Sequence, residues 1–234
     1  MLVLAALVWT LGTGPFLTGL RDTRPWAVLV ALVVTAATTA CCALRWSLVA
    51  DRVDDPVPVR RAFVAYYRSQ LINATLPGGV AGDLHRGVRH GWRGVLWERG
   101  IGQLVQVALV GAVLLPGDWR WIGLASVGLA VLAGGTVTML SALSTAGHLL
   151  VFLVAAAGTG LPLTTLIPIG ALVLLGSAIP LNVAGWGPRE GVAAWAFTMF
   201  GSSAATGLAV SITFGVLALV ATLPGLLVLG SSRG

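Results

Sequence analysis

The sequence predicts an all-α fold, a polytopic transmembrane helical bundle with two re-entrant or broken helices. Three observations carry this expectation. First, 57% of the residues are hydrophobic and only 9% are charged, where soluble domains average roughly 25% charged; mean hydropathy is +0.93. Second, no Asp, Glu, Lys or Arg occurs from Trp121 to Pro188 or from Gly191 to Ser232. Such uncharged lengths suit lipid, and continuous apolar runs suit helices better than the alternating strands of a barrel. Third, two stretches rich in Gly and Pro interrupt the apolar pattern. One is Asn73 to Arg86 (Asn-Ala-Thr-Leu-Pro-Gly-Gly-Val-Ala-Gly-Asp-Leu-His-Arg) and the other is Ile179 to Gly191 (Ile-Pro-Leu-Asn-Val-Ala-Gly-Trp-Gly-Pro-Arg-Glu-Gly). Both contain an Asn, a Val-Ala-Gly triplet and an Arg near a carboxylate. Interrupted segments in corresponding halves point to a transporter's central site. The chain therefore reads as one integral membrane domain, 1–234, with halves of about 1–117 and 118–234 related by a faint inverted repeat.

Each element follows in order. Met1 to Leu20 is an uncharged span; it lacks a basic leader and is long for a signal peptide's apolar region, so a retained helix is expected. Arg21 to Pro25 turns the chain. Trp26 to Leu44 is a second span, with Trp26 and Trp46 spaced to mark the two interfaces. Arg45 to Arg61 is a hydrophilic connection. Val59 to Leu76 is too polar for a lipid-facing span: Phe63, Tyr67 and Leu71 share one face, and Arg61 and Arg68 another. It reads either as a surface helix or as a half-helix that dips inward and stops at Pro77, Gly78 and Gly79. The second reading fits better, because the polar end feeds a Gly-rich motif and not a solvent loop. Asp83 is expected as the N-cap of the next helix.

Arg86, Arg89, Arg93 and Arg99 make the following connection basic, so Arg45–Arg61 and Gly87–Arg99 are both assigned to the cytoplasmic side. The segment between them must then enter and return. Gly100 to Leu115 is a span, Pro116 to Arg120 a turn, and Trp121 to Leu140 a further span. Ser141 to Gly147 links to a helix at His148 to Ala157, and Leu161 to Ile179 is again a span. Val192 to Phe200 and Ala205 to Leu229 complete six or seven full spans plus two interrupted ones.

The net charge of +6 excludes less than its placement does. All fourteen basic residues are Arg, and nine lie between Arg45 and Arg99. A nucleic-acid partner would require a basic soluble domain, and none is present. The Arg-only, Ala/Gly-rich composition suggests a bacterial chain and hence the inner membrane. Cys41 and Cys42 are neighbours with no His or acid at ligand spacing, so no metal site is expected. No phosphate loop, dinucleotide fingerprint or nucleophile elbow is present. No catalytic residue and no cofactor is therefore assigned.

The chemistry lies in the breaks. A broken helix frees amide N–H groups at the start of the next helix, where the dipole favours an anion. Pro188 fits a first helical position, and Glu190 falls in the first turn. Gly78 with Gly82, and Gly187 with Gly191, allow close helix approach. Arg86 and Arg189 are permanently charged forks suited to phosphate oxygens. The candidate cavity residues are Asn73, Pro77, Gly78, Gly79, Gly82, Asp83 and Arg86 from the first break, and Asn182, Gly185, Gly187, Arg189 and Glu190 from the second. Glu98 and Arg99 are secondary candidates, an ion pair being the plainer reading of those two. Asp83–Arg86 and Arg189–Glu190 read alternatively as structural ion pairs at the membrane surface. His85 beside Asp83 raises acid–base chemistry, although an interfacial polar residue is the plainer assignment; His148 reads as a packing or cavity residue.

Taken together, Arg45-Trp46, Asn73…Leu76-Pro77-Gly78-Gly79-Val80-Ala81-Gly82-Asp83…Arg86, Glu98-Arg99 and Pro180…Gly185-Trp186-Gly187-Pro188-Arg189-Glu190 resemble the lysylphosphatidylglycerol synthase transmembrane, or flippase-like, family from about Trp26 to the C-terminus. The resemblance implies a lipid flippase region that moves aminoacylated phosphatidylglycerol between leaflets, here as a stand-alone translocase without a soluble synthase domain. The chain departs from the pattern at Ala81, a usual Gly position, and at Trp186 and Pro188, where smaller or aliphatic residues are usual. The substrate is accordingly not carried over. The expected activity is translocation of an anionic phospholipid or lipid-linked headgroup. The rivals are an accessory membrane subunit of a lipid glycosyltransferase or synthase, and a lipid-modifying enzyme using His85 and Asp83. A membrane-enzyme partner or a second copy of the chain are the possible associations.

Overall fold

A computed structural model describes residues 9, 12–21, 23–53, 55–76, 79–179 and 187–229. Among them every regular element is helical: α1 (Gly14–Arg21), α2 (Pro25–Asp51), α3 (Val59–Thr75), α4 (Ala81–His90), α5 (Trp92–Leu114), α6 (Trp119–Ala133), α7 (Thr136–Ala156), α8 (Leu163–Ser177), α9 (Pro188–Met199), α10 (Ala204–Thr222) and α11 (Gly225–Leu229). Three helical stretches are long and apolar enough to cross a membrane, Pro25–Asp51, Thr136–Thr159 and Ala204–Leu227, with shorter apolar helices at Trp119–Ala133 and Leu163–Ser177. The protein is a multi-pass membrane protein. Half of the first predicted span falls outside the described residues.

The core is built on α2, which packs along α7, α3, α10 and α5. Small residues bring α2 and α7 together: a Cβ on Gly147 would lie 2.3 Å from the Thr38 methyl. The apolar centre joins Ala27 and Ala31 of α2 to Phe152 of α7, Ile169 and Val173 of α8, Phe197 of α9 and Phe214 and Leu217 of α10. Phe152 and Phe214 meet edge to face with centroids 5.9 Å apart, a favoured aromatic geometry. In contrast, α6 buries none of its side chains within the chain.

The two interrupted segments form helical hairpins. In the first, α3 folds back onto α4, and Gly82 touches the α3 backbone so closely that a Cβ there would lie 2.1 Å from the Ser69 carbonyl oxygen. In the second, α8 packs on α9, with Gly176 facing Val192. Gly79 has φ +61° and Gly187 φ +137°, left-handed values that side chains disfavour.

Four sequence expectations change. First, α2 continues through Arg45 to Asp51 instead of ending at Leu44, because a carboxylate on α5 neutralises that arginine. Second, Trp46 is not an interfacial anchor but a fully buried residue. Third, most of Gly87–Arg99 is helix, broken only at Gly91, so Glu98 and Arg99 sit within α5. Fourth, Ser141–Gly147 is no link: it lies inside α7, while the preceding predicted span divides at Gly134 and Gly135. Its hydroxyls donate to carbonyls one turn back, Ser141 to Val137 at 2.9 Å and Thr145 to Ser141 at 3.0 Å. That bonding lets small polar residues stay helical in apolar surroundings.

Candidate functional site

The first break is closed by side chains. The Asn73 side-chain oxygen accepts from the Gly82 N–H at 2.7 Å, and its amide nitrogen donates to Asp83 Oδ2 at 2.8 Å. A buried amide far from water must find such a partner. Asp83 is therefore not the N-cap: Val80 holds that position and Asp83 sits in the first turn of α4. Its oxygens also accept from Ser69 Oγ at 3.2 Å and Arg86 at 2.6 Å, and Arg99 forms an ion pair with it. No hydrogen bond is described between His85 and Asp83, and these four partners occupy the carboxylate. The geometry gives no acid–base dyad there.

A second carboxylate, Glu98, is 0% exposed. It takes Arg45 through Nε at 3.0 Å and through Nη2, and the Tyr66 hydroxyl at 3.0 Å. Arg86 Nη2 lies 3.5 Å from its other oxygen. Arg86, 1% exposed, rests its guanidinium 4.1 Å from the Tyr66 ring centroid and 4.7 Å from that of Trp46. Two aromatic faces attract a desolvated cation by roughly 2 kcal/mol or more, so its partnerless Nε and Nη1 lie in favourable company. Arg45, Arg86 and Arg99 against Asp83 and Glu98 leave one positive charge in the network. Of the three, Arg99 is the most open, with 40% of its side chain exposed.

The second break is more local. Glu190 reaches back to accept the Gly187 N–H and takes Arg189 Nε at 2.8 Å, Arg189 Nη2 at 2.5 Å and Ser211 Oγ at 3.2 Å. Arg189 also lies 5.4 Å over Phe214 and 3.2 Å from Ser211 Oγ. At these two positions, Gly82 and Gly187, the freed amides expected to receive an anion are thus taken by Asn73 and Glu190.

Arg45, Arg99 and Arg189 meet at one cavity of two adjoining lobes. One lobe, of about 300 Å³, is walled by Thr35, Gln70, Asn73, Gly79, Arg99, His148, Pro188, Arg189 and Phe214 among others. The other, of about 290 Å³, adds Cys42, Arg45, Gln103, Ser144 and Thr145. Gln70, Arg99, His148 and Ser177 line both. Thr35 and Cys42 are seven residues apart on α2, about 10 Å along its axis. The first lobe therefore sits midway along α2 and the second towards its Asp51 end. Each lobe is close to the lower bound of roughly 300–1,000 Å³ for small-ligand sites. A larger cavity of about 430 Å³ near Arg24 and Thr159 draws no wall from either break.

Of the sequence candidates, Asn73, Gly79, Arg99 and Arg189 line the cavity. Gly82, Asp83, Arg86, Glu98 and Glu190 stand behind it as supports, and Gly187 shapes the turn. Pro77, Gly78, Asn182 and Gly185 lie outside the described residues. Sequence reading missed Arg45, Gln70 and Gln103, whereas His148, read as a packing or cavity residue, lines both lobes from the middle of α7. Arg45 and the glutamines carried a signal, since polar side chains on membrane helices usually face the bundle interior.

The lysylphosphatidylglycerol synthase TM region family model matches residues 1–144, well over half of the 234 residues, and the chain belongs to that family. No curated protein and no solved structure matches. The family and the spanning helices support a lipid-related function in the membrane.

Proposed function

We propose that this member of the lysylphosphatidylglycerol synthase TM region family moves an anionic phospholipid or lipid-linked headgroup between leaflets through the two-lobed cavity, in a bacterial inner membrane. The observation that carries the reading is the single positive charge left over by the arginine–carboxylate network, whose most open member, Arg99, lines the cavity together with Arg189. A charged group at mid-bilayer costs roughly 2.5–3.5 kcal/mol or more. Two fixed guanidinium groups offset that cost for a phosphate, by charge and by paired hydrogen bonds. The tails stay in lipid while the headgroup passes the polar wall.

The test is purified protein in liposomes carrying a tail-labelled anionic lipid whose outer-leaflet label is quenched. Wild type should move the lipid without a partner, and Arg99→Gln and Arg189→Ala should abolish movement. Arg189→Lys keeps the charge but loses the fork, and about tenfold slower movement is expected, some 1.4 kcal/mol. Unchanged rates in Arg99→Gln and Arg189→Ala reject the reading. Absence of movement, together with one stoichiometric membrane enzyme recovered on purification, would instead assign an accessory role.

A further inference from the structure

We propose that the cavity selects a phosphodiester headgroup bearing a neutral polyhydroxyl group and excludes headgroups that carry an ammonium. This rests on the transport reading above and names its substrate class. It follows from the acids of the chain, which are few enough to place individually. There are eight: Asp22, Asp51, Asp54, Asp55, Asp83, Glu98, Asp118 and Glu190. Asp51 ends α2, Asp55 follows it and Asp118 stands in the turn before α6; Asp22 and Asp54 lie outside the described residues. The remaining three belong to the helices around the cavity, and each is bonded to arginine: Asp83 to Arg86 and Arg99, Glu98 to Arg45 and Arg86, Glu190 to Arg189.

No carboxylate lines either lobe among the described residues. Residues 77–78 and 180–186, next to the breaks, are Pro, Gly, Leu, Asn, Val, Ala and Trp and contain no acid. Whatever they contribute to the wall, it is not a counter-charge for a cation. An ammonium entering this cavity would meet guanidinium groups whose carboxylates are already taken up behind them, with one positive charge left over, in a setting where like charges repel more than in water.

The second lobe supplies what a polyol needs. Gln70 and Gln103 carry amide N–H donors there, and the Gln70 oxygen already accepts from Thr39 at 3.1 Å. Thr145 and Ser177 donate their protons to backbone carbonyls at 3.0 and 2.9 Å. Their oxygens therefore keep lone pairs for hydroxyl groups of an occupant. With Nδ1 2.7 Å from the Ser144 carbonyl, the His148 ring donates there, and in its neutral form Nε2 is left as an acceptor. A phosphodiester at Arg99 and Arg189 would cancel the leftover positive charge, and a polyol attached to it would reach this uncharged lobe.

The experiment compares two tail-labelled lipids in the same proteoliposomes: phosphatidylglycerol and its lysyl ester, the cationic counterpart. Phosphatidylglycerol should move at least about tenfold faster than the lysyl ester. Gln103→Glu, which places a carboxylate in the second lobe, should narrow or reverse that ratio. Equal rates for the two lipids in wild type overturn the selectivity while leaving transport intact, and so does a ratio unmoved by a folded Gln103→Glu. If neither lipid moves, the transport reading fails, and selectivity is then decided by binding in detergent. Short-chain phosphatidylglycerol should raise the melting temperature where its lysyl ester does not; an equal rise overturns the proposal.

Discussion

Asp83, in the first hairpin, collects donors from α3, α4 and α5, whereas Glu190, in the second, takes partners from the start of its own helix and from one serine of α10. The same pairing of Arg with carboxylate beside a Gly-rich break is therefore used in two ways. In the first hairpin it is a tertiary clamp that, through Arg86 and Glu98, also reaches Arg45 of α2. In the second it is a local brace that positions one cavity-facing arginine. Charges that tie several helices together are hard to alter without loss of the fold, and charges held by near neighbours can be altered to read function. This is why Arg189 is the cleaner functional probe and Glu98 the cleaner structural one.

The largest effect is expected from Glu98→Gln, which leaves Arg45 and Arg86 without their shared carboxylate; about 3–5 kcal/mol of stability should be lost, read as a lower melting temperature in detergent. Glu190→Gln strands one arginine, which lines the cavity and keeps Ser211 and the Phe214 ring as company, and roughly 1–3 kcal/mol is expected. Equal losses would erase the contrast between clamp and brace. Next comes the packing of the hairpins. Gly82→Ala forces a methyl against a backbone carbonyl and should cost about 1–3 kcal/mol. Gly176→Ala should cost less, because its Cβ would meet a Val192 methyl at 2.9 Å and not a backbone carbonyl at 2.1 Å.

Asn73→Ala removes both the Gly82 partner and a donor to Asp83, for about 1–2 kcal/mol. Faster amide exchange confined to α4 and its entry would show that the clamp had opened, and unchanged exchange would show that Asn73 does not close it. Ser211→Ala should be smallest, about 1 kcal/mol or less, since the Arg189–Glu190 pair persists. A large transport loss in that variant with an unchanged melting temperature would make the serine part of the cavity's chemistry.

Much of the membrane fold was legible because its signals are strong and local. Uncharged runs, Pro77-Gly78-Gly79 and Pro188 after Gly187 mark spans and breaks through backbone chemistry alone. The misassignments share one physical cause. Hydropathy marks Arg45, Glu98 and the Ser141–Gly147 segment as ends or links because each is polar, and polar residues cost free energy in lipid unless partnered. Their partners lie 53 residues apart in one case, Arg45 with Glu98, and within the same helix in the other. Neither kind of satisfaction is visible in hydropathy. The same limit placed Asp83 and Arg86 on the cavity surface, when Trp46, Tyr66, Asn73 and Arg99 hold them behind it. Composition does list the polar groups, but only tertiary structure shows which of them face one another and which face a ligand.

The seam between α2 and α7 has one further consequence. It is fastened at three successive levels: Thr38 against Gly147, Cys42 to Ser144 at 3.2 Å, and Arg45 to Ser141 at 2.9 Å. Those two helices behave as a single stave, so the chamber cannot part along them without giving up all three fastenings at once.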